Sequence, residues 1–375
     1  MSTQIVLDCS FGDAGKGLVV DNLCGEALKS KPASEIVVVR FSGGQQCGHT
    51  VMHDGKKHIF SSYGSGSLRG IKTYATEHTT MYVPNLCNEY RVLEDKGITP
   101  QLTFHPLAMV TTPYDVAFNR AKEQWARNGS CGLGVGATMH RNITSPHKLF
   151  ANDFLYPSIM LEKLSNIRDY YRKLVWSEKV NPTAYSRELG NIEENFFDDV
   201  ENLHKKEYFR IGNINPSKDA TIIFEGSQGI FLDMDHGVFP NVTYALTTCR
   251  NAISYCYLWQ RTPEMFYVTR CYTTRHGRGW MPKEAPIELV NNQEEINKYN
   301  EWQEDFRYGE FDYNLVNHAI GTDSIYHGLP DAFKKNLVVT CLDQRPEFAL
   351  DKSKFNNIDT FWGNNSPLSD NMKTL

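Results

Sequence analysis

No run in the 375 residues approaches the roughly 18–20 consecutive apolar residues that a helix needs to cross a bilayer. The opening MSTQIVLDCSFGD also lacks the basic start and apolar centre of an export signal. Dense positive charge is missing too. Lys and Arg total 39 against 44 Asp and Glu, a net charge of −5 with no basic run for a phosphate backbone, which argues against a nucleic-acid polymer as partner. The nine cysteines are scattered without one CxxC pair, which disfavours a zinc site or disulfide framework and predicts a reducing, cytoplasmic setting. There is no internal repeat and no low-complexity tract. What is present is an ordinary globular composition, 41% hydrophobic and 22% charged, at a length that suits one or two domains.

Short β-branched runs recur at Ile5–Leu7, Ile36–Val39, Met81–Val83, Thr221–Phe224, Met265–Val268 and Leu337–Thr340. Continuous apolar runs of this length predict parallel strands buried on both faces. Helical stretches such as Lys16–Leu28 and Val116–Ala126 lie between them, so the expectation is an α/β fold with a mainly parallel central sheet flanked by helices. Residues from about 145 to 214 read as a helical insertion, with Met160–Leu174 and Ile192–His204 as helices. A single domain over 1–351 then leaves 352–375 as a polar, loosely packed tail.

Five clusters carry chemistry. Asp8–Gly17 runs from a strand through a glycine-rich turn into a helix, an arrangement that gathers backbone N–H groups around a phosphate with Lys16 as a point charge. It is not the GxxxxGK[ST] pattern, and a tight turn with a solvated lysine is the bland alternative. Phe41–Thr50 places three glycines and His49 after a strand, where open α/β sheets put their sites. Phe224–Thr243 ends a strand in EGSQG; Gln228 offers a donor and an acceptor, whereas Asp233, Asp235 and His236 suit turns better than a metal. Cys271–Trp280 holds Arg275 and Arg278 in a glycine-containing loop suited to carboxylate capture. Asp343 follows the last buried strand.

In this order the clusters resemble the adenylosuccinate synthetase family, which joins aspartate to the 6-oxo position of a purine monophosphate, driven by GTP and Mg²⁺. The matching stretches are FGDAGKG, GGQQCGHT and the nineteen-residue EGSQGIFLDMDHGVFPNVT. The resemblance implies Asp13, His49 and Gln228 as catalytic residues, and Asp13 with the Gly48 carbonyl as the Mg²⁺ site. It assigns Gly12, Asp13, Ala14, Gly15, Lys16, Gly17, Gly48, His49, Thr50 and Asp343 to the nucleoside triphosphate. Asp13, Gln46, Ser130, Cys131, Arg141, Gln228 and Thr243 go to the purine monophosphate, with Arg141 reaching across a homodimer. Thr273, Thr274, Arg275 and Arg278 go to aspartate.

The departures cluster where purines and phosphates are read. Ala14 stands where the family has Glu, Gln46 and Cys47 replace the Asn-Ala of NAGHT, and Cys341 stands where a lysine packs on guanine. Ser130–Ala137 replaces TTGRGIGP, with Leu133 in place of its arginine. This pattern resembles a bacteriophage branch of the family that joins aspartate to dGMP on the way to 2-aminoadenine DNA, and in that reading the shortened position 14 and the altered 130–137 loop supply room for the 2-amino group. ATP and GTP both remain open as donors. The alternatives are an ordinary synthetase acting on IMP and an inactive nucleotide sensor.

Overall fold

The computed structural model describes residues 2–127, 129–290, 295, 297, 299, 301–330 and 332–375. In chain order the strands are β1 (Thr3–Asp8), β2 (Ile36–Arg40), β3 (His49–His53), β4 (Lys56–Phe60), β5 (Lys72–Ala75), β6 (Thr80–Met81), β7 (Leu102–Phe104), β8 (Met109–Val110), β9 (Arg210–Ile211), β10 (Thr221–Gly229), β11 (Glu264–Arg270), β12 (Thr273–His276), β13 (Phe306–Gly309), β14 (Lys335–Thr340), β15 (Thr360–Gly363) and β16 (Lys373–Thr374). The helices are α1 (Lys16–Leu28), α2 (Val83–Asp95), α3 (Pro113–Ala126), α4 (Val135–Thr144), α5 (Pro157–Ser177), α6 (Pro182–Gly190), α7 (Glu193–Asn202), α8 (Arg250–Leu258) and α9 (Tyr313–Tyr326).

Ten strands form one sheet in the order β16-β15-β14-β11-β1-β10-β2-β5-β7-β9, parallel throughout except for the β15–β16 pair. Successive strand residues alternate between two apolar layers. Val6, Val38, Ile223, Val268 and Val338 pack with Val19 and Val20 of α1, whereas Ile5, Val37, Ile222, Met265 and Leu337 pack with Ile253 of α8 and Val316 of α9. Two covered faces explain why these strands read as unbroken hydrophobic runs. Because the inner strands share one direction, the loops after β1, β2, β10, β11 and β14 all emerge at one edge, and that edge carries the site.

Two expectations are corrected. Met81–Val83 is not a strand: only Thr80–Met81 pairs, with β8, and Val83 already begins α2, whose first turn holds Pro84. Proline's fixed φ and missing N–H suit a helix start and end a strand. Nor is 352–375 a loose tail. Thr360–Gly363 adds to β14 in parallel, and the Trp362 indole N–H donates to Asn336 Oδ1 at 3.0 Å. The segment Ser145–Ile214 is helical over α5, α6 and α7. Its Tyr171, Tyr185 and Phe196 join Leu86 and Tyr114 in a third core, and it ends in the edge strand β9.

Candidate active site

The loop between β1 and α1 is wired inward onto a buried carboxylate. Asp8 accepts from the backbone N–H groups of Ser10 at 2.7 Å, Gly12 at 3.3 Å and Ala14 at 2.9 Å. Lys16, only 1% exposed, donates from Nζ to Asp8 Oδ2 at 3.1 Å and to the Gly12 carbonyl at 2.6 Å. Gly15 takes a left-handed conformation (φ 92°) and opens α1 with no side-chain cap, so the first amides of the helix face a cleft of about 180 Å³. Gly17 is needed there for proximity, since a Cβ on it would come within 2.7 Å of His49 Cβ.

The cleft is lined by Gly12, Asp13, Gly15, Lys16, Gly17, Gly48, His49, Thr50, Arg270 and Asp343, with Asn364 and Ser366 of the C-terminal segment closing one side. Burial holds the Asp13 carboxyl above the ordinary aspartate range, with Arg270 and then Lys16 pulling the other way. Arg270 donates from Nε to the Asp13 carbonyl and from Nη1 to Glu295 Oε2 at 2.6 Å, and Asn297 Nδ2 donates to Asp13 Oδ1 at 3.1 Å.

His49 meets Glu225 of β10, with 2.6 Å between Nδ1 and Oε1. Glu225, wholly buried, also accepts from the Ser65 backbone N–H at 3.1 Å and from the Ser65 hydroxyl. Burial alone would raise the Glu225 pKa, but His49, Arg40 and the Ser65 hydrogen bond outweigh it and hold the group at about 2. Burial lowers the His49 pKa despite that carboxylate. The Glu225 shift keeps the carboxylate ionised to accept from His49 Nδ1–H, and it supports the imidazolium that burial opposes. Beside this pair, Gln46 Nε2 donates to Gln228 Oε1 at 3.4 Å, while Gln46 Oε1 is buried with no hydrogen-bond partner among the described residues.

A larger cavity of about 620 Å³ opens at the opposite edge, between the amino ends of β2, β5 and β7, and holds none of these loops. The glycine-rich loops lie at the carboxyl edge. Comparison with known proteins identifies the family. The Adenylosuccinate synthetase family model matches residues 5–329. Adenylosuccinate synthetase of Chromohalobacter salexigens is 30% identical over 339 residues, 86% of this chain and 74% of the relative. That of Colwellia psychrerythraea is 31% identical over 299 residues, 77% and 66% of the two chains.

This chain belongs to the adenylosuccinate synthetase family.

It is accordingly a carbon–nitrogen ligase that uses a nucleoside triphosphate. Two solved structures share its fold over its full length. One is the succinoaminodeoxyadenylate synthetase of cyanophage S-2L, bound to dGMP and to dATP as energy donor, at a TM-score of 0.66 and 18% identity over 95% of that chain. The other is the fully ligated adenylosuccinate synthetase of Plasmodium falciparum, at 0.64 and 17% over 87%.

The family-derived expectations fare unevenly against the geometry. Arg141 does not reach outward. It is 0% exposed, makes a forked ion pair with Asp115 at 2.8 and 2.9 Å, and donates to the carbonyls of Val110 and His147. A guanidinium with those partners is a core strut, so its assignment across a dimer is withdrawn. The Ala14 methyl packs among Val6, Val19 and Val268 and not in the cleft, so position 14 does not supply room for a base. Arg275 is also committed, donating to the carbonyls of Arg278, Trp280 and Asn241 and stacking over Phe11 at 4.4 Å. Arg278, exposed, forks onto Glu304. Thr273 and Thr274 lie buried in β12, with the Thr273 hydroxyl donating to the Glu310 carbonyl.

The Ser130 hydroxyl donates to Asn119, and Gln45 Nε2 donates to the Leu133 carbonyl at 3.0 Å, which ties the 130s loop to the loop after β2. Cys131 is half-buried. Tyr244, next to Thr243, packs its ring against His140, so the Thr243 segment adjoins the same loop. Asp233 spends both oxygens on the backbone N–H groups of Asp235, His236, Thr247 and Thr248, as a turn carboxylate does. Sequence reasoning missed Asp8, Gln45, Glu225 and Arg270. Asp8 and Glu225 were the legible ones: each is a lone carboxylate at the end of an apolar strand, a position that a buried charge occupies only with partners.

Proposed function

We propose that this enzyme condenses L-aspartate with the 6-oxo carbon of dGMP, giving N6-succino-2-amino-2′-deoxyadenylate. The observation that carries the reading is the unpartnered Gln46 Oε1 beside Gln228. IMP and dGMP share the N1–H and 6-oxo pair, but only guanine adds a 2-amino donor. A buried acceptor left empty costs about 1–3 kcal/mol, and that donor would fill it. The dGMP-bound cyanophage relative of the same fold supports the choice.

In this reading Asp13 takes the N1 proton, a task that suits a carboxylate made more basic by burial. The 6-oxygen then attacks the γ-phosphate, and the uncapped amides of α1 with Lys16 hold the phosphates. His49 donates to the departing diphosphate oxygen, held in place by Glu225. The amine of aspartate displaces the 6-phosphoryl group and releases phosphate. Asp343 faces the base of the triphosphate across the cleft.

The Asp13 carboxylate and the Gly48 carbonyl are oxygen donors on one cleft, and a Cβ at Gly48 would meet nothing closer than 3.7 Å, so the pair fits a hard, partly hydrated Mg²⁺. When bound, the ion neutralises charge on the phosphate oxygens. A homodimer in the host cytoplasm belongs to the same proposal. Among the described residues, no helix is long and apolar enough to cross a membrane.

The test is phosphate release with Mg²⁺ and L-aspartate, crossing dGMP, GMP and IMP against ATP and GTP. Turnover with dGMP and little with IMP is expected, and Gln46→Leu should lower kcat/KM for dGMP about 5–150-fold while sparing IMP. The second reading, IMP as acceptor, rests on the curated relatives named adenylosuccinate synthetase, and turnover with IMP alone would establish it.

A further inference from the structure

One cluster of metal-ligating side chains lies outside the cleft and has no part in the reaction above. Cys249 caps the start of α8, Asp323 sits in the last turn of α9, and His327 follows directly at that helix's C-terminal cap. A thiol sulfur, a carboxylate oxygen and a ring nitrogen from these three lie within 4.8 Å of one another. Cys249 and Asp323 are both 0% exposed. Asp323 accepts from the Cys249 backbone N–H at 2.7 Å and from the Tyr267 hydroxyl at 2.8 Å, which fixes the carboxylate on β11. His327 Nε2 is buried and has no hydrogen-bond partner among the described residues. Two ligands are thus preset by packing, and the third residue carries an unsatisfied polar atom.

We propose that Cys249, Asp323 and His327 bind one zinc ion at a site separate from the catalytic cleft. The donor set decides the metal. A thiolate with an imidazole and a carboxylate suits a borderline-soft ion in tetrahedral geometry, whereas Mg²⁺ and Ca²⁺ seek oxygen alone. Binding expels the thiol proton to solvent and leaves the ring neutral. The ring of His236 meets that of His327 edge-on with centroids 5.9 Å apart, so either a water or His236 itself completes the tetrahedron. The neighbouring group Asp233, Asp235 and His236 is not a rival centre, because four backbone amides already occupy the Asp233 oxygens. A bound ion would pin α8 and α9 to β11, beside the segment that carries Thr243.

Metal-stripped full-length protein titrated with Co²⁺, then Zn²⁺, tests this. The expected result is one equivalent per chain, with thiolate-to-cobalt charge transfer in the near ultraviolet and tetrahedral bands in the visible, displaced by Zn²⁺ and not by Mg²⁺. Cys249→Ser should remove the charge-transfer band. His327→Ala, at a partly exposed position that spares the core, should weaken Zn²⁺ binding at least tenfold and abolish any zinc-dependent rise in Tm. Cobalt binding without a thiolate band, or Zn²⁺ affinity unchanged in a folded His327→Ala protein, overturns the site. Should Cys249→Ser fail to fold, His327→Ala decides alone.

Discussion

The charged residues around the loops after β1, β2 and β10 and the arginines at 141, 275 and 278 are used in opposite ways. In the first group, buried charges are paired around an open cleft: Lys16 on Asp8, His49 on Glu225, and Arg270 on Glu295 and the Asp13 carbonyl. In the second, the arginines are spent on the protein's own frame. Arg141 holds Asp115 and two carbonyls, Arg275 holds three carbonyls, and Arg278 holds a surface glutamate. An arginine in a glycine-rich loop therefore identifies a ligand site only once its partners are known. The partners here assign preorganised chemistry to one half and loop architecture to the other.

The sharpest way to break this contrast is Asp13→Asn. Turnover should fall about 10²–10⁴-fold, the range for loss of a positioned base, while calorimetry still detects nucleotide binding. Stability should move the other way. Burial raises the folded-state pKa of Asp13 above its unfolded value, so its contribution is favourable only below the unfolded pKa and is lost as pH rises through the folded one. At neutral pH the partly buried carboxylate costs stability, and a neutral amide should raise Tm by an amount corresponding to about 0.5–2 kcal/mol. A variant that melts lower, or that still turns over, would remove Asp13 from the role of base.

Next in size is Arg141→Ala. Removing one partner of a buried ion pair leaves Asp115 charged and unsatisfied, at a cost of about 3–5 kcal/mol in denaturant unfolding. Any folded enzyme should keep its acceptor KM. A raised KM with unchanged stability would return Arg141 to the substrate.

How much of this was readable in advance follows from sequence distance. Lys16–Leu28 was legible to the residue because a left-handed glycine and an apolar face mark it locally. Strands buried on both faces were legible as runs. Glu225 and His49 stand 176 residues apart, and Cys249 and Asp323 74 apart, so no spacing rule such as CxxC could join them. Position 14 misled for a related reason: the motif gives residue order, while the turn at Gly12 and Gly15 decides which side chain faces the cleft. In the C-terminal segment, polar composition masked Phe361 and Trp362, whose strand needed only four residues to extend the sheet.

The smallest effect, and the finest test of the comparison, is Glu225→Gln. Glu225 touches no substrate in this scheme, so its loss should cost about 10²-fold in kcat, the low end of the acid–base range, because His49 remains. A structural role alone could give that number, and the pH profile separates the two. His49 can donate to phosphate through Nε2 while Nδ1–H holds Glu225 only as the imidazolium, and Glu225 is the largest influence keeping that form accessible against burial. Without the carboxylate the His49 pKa falls further, so the basic limb of the kcat profile should move to lower pH. Stability at low pH gives an independent check. Glu225, held at about 2, contributes stability that is present above the unfolded carboxylate pKa and is lost as pH falls toward 2. The variant should accordingly lose less of its remaining stability than the wild type between about pH 4 and 2. A profile that keeps its basic limb in place would make Glu225 a packing residue, and the first group of loops would then resemble the second.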